Sequence, residues 1–96
     1  MSAYFIMMHE VADVERYKSE YIPAAIEFLE KHKGELVATD LAAEAVQGNP
    51  PNAVVVLRFP SKEAVHDFLN DPGYQAAKAV RMELSRNANA VIIPGP

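Results

Sequence analysis

His9 stands beside Glu10, and an imidazole, which titrates near neutrality, can act as a general base when a carboxylate orients it. Neighbouring residues of an extended chain point to opposite faces, so the plainer reading is a strand-end histidine hydrogen-bonded locally. Glu63 and His66 have the i, i+3 spacing that supplies two ligands in di-iron helical bundles. Such a site needs a second pair and further carboxylates, and the sequence offers neither; a solvated helix face accounts for both residues. His32, near the end of a helical pattern, reads as a cation opposing the negative end of the helix dipole.

Arg58 sits in an otherwise apolar run, where a permanent charge must find an acceptor or reach water. It either clamps an anionic ligand, pairs with an acid at a subunit seam, or lies near a strand end. Tyr17, Tyr21 and Tyr74 each combine an apolar ring with a polar tip, which suits the lining of a cleft between helices and sheet, or core packing with the hydroxyl at the rim. Arg81 pairs with a carboxylate or reaches the same cleft. The candidate ligand-binding residues are therefore His9, Tyr17, Arg58, Tyr74 and Arg81. No glycine-rich phosphate loop, Gly-x-Ser-x-Gly elbow, zinc-type histidine pair or nucleotide fingerprint occurs. Neither a metal nor a cofactor is expected, and no residue stands out as catalytic.

The elements that must position these side chains come from a short chain. Its 96 residues are half apolar, enough for one packed core and too few for two ordinary domains, so a single domain over residues 1–96 is expected. A domain of this size buries only about 60–65% of the surface its unfolded chain exposes, and gains from any partner that covers more. The absence of cysteine removes disulfides and thiolate sites and fits a reducing cytoplasm. No basic segment precedes the first apolar run and no apolar stretch approaches the roughly 20 residues of a membrane span, so a cytoplasmic protein without membrane contact is expected. Nine Lys and Arg, scattered singly, stand against thirteen Asp and Glu, which leaves no cationic stripe for nucleic acid.

Residues 3–9 are a continuous apolar run with aromatics, the pattern of a strand apolar on both faces. Asp13 is an N-cap, and Val14, Tyr17, Tyr21, Ala25, Phe28 and His32 follow along one helical stripe. Pro23 interrupts that helix, because its ring displaces the Ser19 carbonyl and donates no hydrogen bond, so a kink or two short helices is expected. Gly34 is placed to close the helix in the left-handed conformation. Residues 35–47 read as an irregular edge strand, and residues 48–52 as a turn. Residues 53–59, β-branched and apolar on both faces, read as a central strand. Ser61 and Asp71 are N-caps of two further helical segments, the second opened by Pro72. A turn at 87–89 and a last strand at 90–93 complete an α+β chain of βαββαβ order, the ferredoxin-like plan with a four-stranded antiparallel sheet.

In that plan both helical segments cover one face of the sheet. The other face is not built for water: Tyr4, Ile6 and Met8 point away from Phe5, Met7 and His9, and Val54 and Val56 away from Val55, Leu57 and Phe59. Leaving one large apolar side chain exposed forgoes about 1.5–3 kcal/mol, so about five or six approach the whole stability of a small domain, about 5–15 kcal/mol. A second copy packed sheet to sheet, as a twofold homodimer, is the simplest cover. A helix from a different protein is the rival.

Phe59-Pro60-Ser61-Lys62-Glu63-Ala64, then Phe68-Leu69-Asn70-Asp71-Pro72-Gly73-Tyr74-Gln75 and Arg81, with Asp13, Tyr17 and Gly34 ahead of them, resemble the DUF1330 family of domains of unknown function, within the dimeric α/β-barrel superfamily. The resemblance spans nearly the whole chain. It implies a dimeric ferredoxin-like barrel and brings no established activity. The function expected is that of a small-molecule-binding homodimer, its ligand in a cleft between sheet and helices. The alternatives are a cofactor-independent oxygenase-like small enzyme, by analogy with monooxygenases on the same barrel, and a purely structural or regulatory dimer.

Overall fold

The computed structural model describes residues 2–96. Strand β1 (Ala3–Val11) alternates strictly: Ala3, Phe5, Met7, His9 and Val11 are buried, and the residues between them are half-buried on the opposite face. With β2 (Glu35–Asp40), β3 (Ala53–Phe59) and β4 (Ser85–Pro94) it forms an antiparallel sheet of order β2-β3-β1-β4. The two strands most apolar on both faces, β1 and β3, lie at the centre, where both of their edges are paired. Their register sets Phe5 opposite Leu57, Met7 opposite Val55 and His9 opposite Ala53.

Two strand boundaries depart from expectation. β2 ends at Asp40 rather than running on to residue 47, because the Asp40 carboxylate accepts the Ala42 N–H at 2.8 Å and turns the chain. Asn52 then anchors the returning segment, its amide bonded to the Val11 N–H, the Val11 carbonyl and the Leu41 carbonyl. β4 begins at Ser85, immediately after the preceding helix, where a turn over 87–89 was expected. Asn87 has φ 55°, a conformation asparagine tolerates. It is absorbed as a bulge: Met8 faces Asn89 and Glu10 faces Arg86, so Asn87 and Ala88 together oppose His9.

The first helical segment starts where Asp13 accepts the Arg16 N–H at 3.1 Å. Helix α1 (Val14–Arg16) passes into a π-helical stretch over Tyr17–Tyr21 and then into α2 (Ile22–Lys31). The expected break at Pro23 takes this form: the Ile22 N–H reaches back five residues to the Tyr17 carbonyl, and the wider turn makes room ahead of the proline ring. At the far end the Lys33 N–H bonds Glu30 O and the Gly34 N–H bonds Leu29 O, the paired pattern of a Schellman cap. The left-handed residue there is Lys33, at φ 61°, and not Gly34. Gly34 is needed for a different reason: a Cβ on it would overlap the Leu29 side chain and lie 2.8 Å from the Phe59 ring.

Ser61 accepts the Ala64 N–H and opens α3 (Lys62–Asn70), and Asp71 accepts the Gly73 N–H and opens α4 (Pro72–Leu84). Asp71 also joins the helical layers. Its Oδ2 receives Lys31 Nζ at 2.9 Å and His32 Nε2 at 2.7 Å from the end of α2. The core lies between helices and sheet, with Phe59, Val65, Phe68 and Tyr74 at 2% exposure or less. On the other face of the sheet Val91 and Ile93 stay 54% and 43% exposed beside Ile6 and Tyr4.

Candidate functional site

Between the helices and the sheet lies a cavity of about 90 Å³, larger than the roughly 10–15 Å³ that admits one water. Phe5 and Met7 of β1, Leu57 of β3 and Ile22, Ala25 and Leu29 of α2 contribute its apolar wall. Ile26 and Leu36, both about half exposed, stand where it meets solvent between α2 and β2. The remaining wall is aromatic. Tyr17 and Tyr21 come from the π-helical stretch, their ring centroids 5.0 Å apart, and Tyr74 comes from the first turn of α4, packed on Phe68 at 4.2 Å.

Each of these hydroxyls has a buried partner, as an amphipathic ring needs when it leaves water. Tyr21 and Tyr74 bond to each other at 3.0 Å, and Tyr17 bonds to His9 Nε2 at 2.8 Å. His9 has no exposed surface. Burial first, and the Arg81 charge second, lower its pKa to about 4, so the ring is neutral at pH 7. Burial raises the Tyr17 hydroxyl to about 12 against the opposing pull of Arg81, and it pushes Tyr21 upward as well. All three groups are uncharged at neutral pH.

Arg81 is the exception. It is 6% exposed, on the face of α4 that packs on the sheet. Its Nε and Nη1 are buried with no hydrogen-bond partner among the described residues, and so is His9 Nδ1. No carboxylate among the described residues pairs with it. A guanidinium cannot shed its proton, and an uncompensated buried charge costs several kcal/mol. Nor do the described residues place three or more His, Cys, Asp or Glu together as metal ligands. Of this polar group only Tyr17, Tyr21 and Tyr74 line the cavity, and His9 joins it through its bond to Tyr17.

The DUF1330 profile, described as a domain of unknown function, matches residues 2–96. The chain belongs to the DUF1330 family. In three dimensions this DUF1330 chain is similar to a protein of unknown function from Rhodopseudomonas palustris, with TM-score 0.77, 14% identity, and 99% of this chain and 82% of that one covered. It is similar to SnoaB, a cofactor-independent oxygenase from Streptomyces nogalater, with TM-score 0.74, 18% identity, and 99% and 93% covered. A dimeric protein of unknown function and ferredoxin-like fold from Bacteroides fragilis also matches, with TM-score 0.67, 15% identity, and 98% and 96% covered. Comparison with curated proteins finds no match. Likeness at these identities establishes the ferredoxin-like fold and leaves activity to the site.

Of the five candidates read from the DUF1330 sequence, the structure gathers His9, Tyr17, Tyr74 and Arg81 on the helix side of the sheet. Arg58 is not among them. It is exposed on the open face, opposite Tyr4 on one side and Glu35 on the other. Strand parity carries that separation: Arg58 pairs with Tyr4, whereas His9 shares a face with Phe5. Tyr21 completes the cluster, and its signal was the four-residue spacing from Tyr17. Glu63 and His66 lie exposed on α3. His32, read as a lone helix-end cation, is instead bound to Asp71, a contact between distant segments that no local pattern announces.

Proposed function

We propose that this DUF1330 protein binds a small molecule in the cavity between sheet and helices and does so as a homodimer. The observation that carries the reading is an apolar cavity lined by three buried tyrosines, one of them bonded to the buried His9, in a helix-side layer that also holds guanidinium nitrogens without an acceptor among the described residues. Its donors hold a ligand rather than transform it, because an imidazole with a pKa of about 4 is a weak proton acceptor at neutral pH. The open face of the sheet supports the dimer, since Val91 and Ile93 beside Ile6 and Tyr4 form an apolar surface that a second copy would cover. The dimeric protein from Bacteroides fragilis, of like fold, agrees with it.

A thermal-shift screen of small organic compounds tests binding, and light scattering at micromolar concentration tests the dimer. Failure of every compound class to raise Tm would remove the first claim, and the mass of one chain would remove the second. A second reading, an oxygenase-like enzyme needing no cofactor, is favoured by the likeness to SnoaB. There His9 would take a proton from the substrate, with Tyr17, its hydrogen-bond partner, beside it. Turnover that survives replacement of both residues would reject it.

A further inference from the structure

The cavity between helices and sheet takes its polar side chains from Tyr17, Tyr21, Thr39 and Tyr74, and its lining includes no charged residue among those described. The protons of these four hydroxyls can be counted. Thr39 donates to the Val54 carbonyl at 2.9 Å, and Tyr17 is engaged with His9. Tyr21 and Tyr74 reach in from different helical segments and meet hydroxyl to hydroxyl at 3.0 Å. Two hydroxyls carry two protons, and the bond between them uses one. The second proton has no acceptor among the described residues, although both tyrosines are buried.

We propose that the ligand is a small uncharged hydrophobic carbonyl compound, a ketone or an ester, its body in the cavity and its oxygen accepting the spare proton of the Tyr21–Tyr74 pair. The proposal deepens the binding reading above and rests on it. Three features select this class. A buried donor left without an acceptor is expensive, and a carbonyl oxygen supplies the acceptor while bringing no proton that would itself need a partner. A lining without a charged side chain gives a carboxylate or an ammonium nothing to pair with when it leaves water. The volume of about 90 Å³, at roughly 10–15 Å³ for each water-sized occupant, holds about six to nine non-hydrogen atoms.

The probes are cyclohexanone and methylenecyclohexane, which differ only in the exchange of the carbonyl oxygen for a methylene carbon, with 3-methylbutanoate as an anion of equal heavy-atom count. Dissociation constants are measured by NMR titration at pH 7 for the wild type and for the double variant Tyr21→Phe/Tyr74→Phe. The ketone-to-hydrocarbon affinity ratio should fall roughly 10-fold in the variant, with hydrocarbon binding retained; comparing ratios cancels the unequal cost of taking the two probes out of water. The same ratio in both proteins overturns the carbonyl proposal while the cavity reading stands. The anion should bind the wild type at least roughly 10-fold more weakly than the ketone, and equal binding overturns the proposal of an uncharged ligand. Absence of binding by both uncharged probes overturns the proposal, and the thermal-shift screen then decides the cavity reading separately. Should the double variant fail to fold, the wild type decides alone: the infrared C=O stretch of bound cyclohexanone should lie below its frequency in hexane, as in a hydrogen-bonded carbonyl, and an unshifted band overturns the proposal.

Discussion

The Tyr17 hydroxyl and His9 Nε2 meet at 2.8 Å, both residues buried, one from the π-helical stretch and the other from near the end of β1. The contact joins the first helical segment to the sheet at the point where β4 bulges around His9. It satisfies one nitrogen of the imidazole and leaves Nδ1 buried without a partner among the described residues.

Tyr17→Phe keeps the ring in its packing and deletes the hydroxyl, leaving both His9 nitrogens without a protein partner. A buried polar group stripped of its partner costs about 1–3 kcal/mol. Urea denaturation at pH 7 should show a loss in that range, and an unchanged midpoint would mean the bond contributes nothing to the fold.

The depressed pKa of His9 makes stability depend on pH. The unfolded chain takes up a proton near pH 6.5 and the folded one only near 4, so the stability carried by the neutral ring is whole above about 6.5 and declines as pH falls towards 4. The loss amounts to at most about 3 kcal/mol. Unfolding midpoints between pH 7 and 4, alongside an NMR titration of the His9 ring, measure it; protonation of that ring near 6.5 in the folded protein contradicts the burial argument.

Asp71 acts in a more acidic window. Hydrogen bonds from Lys31, His32 and the Gly73 N–H hold its carboxyl well below the usual range. It therefore stabilises the fold above the ordinary carboxylate pKa and loses that contribution only as pH falls further. Asp71→Asn should lower the urea midpoint at pH 7, with the gap to wild type narrowing in strong acid. Because asparagine also caps helices well, a gap that does not change with pH would mean that the carboxylate's charge is not what stabilises this junction.

Gly34→Ala places a methyl group against the Leu29 side chain and the buried Phe59 ring. Overpacking of this kind costs about 1–3 kcal/mol. The α2 to β2 corner should loosen first, visible as faster amide exchange at Lys33 and Gly34.

Ile6→Glu on the open face of the sheet puts a charge among Val56, Val91 and their neighbours. If that surface is the dimer seam, light scattering should show a shift from two chains to one with the helix-side packing intact by circular dichroism. A variant that keeps the mass of two chains moves the seam elsewhere.

How far the residues alone reach is clear from particular elements. Asp13, Ser61 and Asp71 announce their helices because a cap bonds its own backbone within three residues. The placing of β3 at the centre follows from side chains apolar on both faces, whereas the central place of β1 was not read from the sequence. The left-handed residue was misplaced by one position, since Gly34 has the conformational freedom and Lys33 adopts the conformation. The start of β4 was missed because Asn87, a turn former, sits inside a strand as a bulge, which only its pairing with β1 reveals.

Caps, alternation and helical stripes are short-range, and by themselves they determined the βαββαβ order and the apolar character of the β1 and β3 segments on both faces. They also marked His9, Tyr17, Tyr74 and Arg81 as residues worth watching. Only the tertiary structure decided that these four lie on the helix side of the sheet, that Arg58 stands on the opposite face, and that Arg81 is buried with two guanidinium nitrogens lacking an acceptor among the described residues. Those outcomes depend on strand register and on the rotation of α4 against the sheet, which arise from packing between segments far apart in the chain.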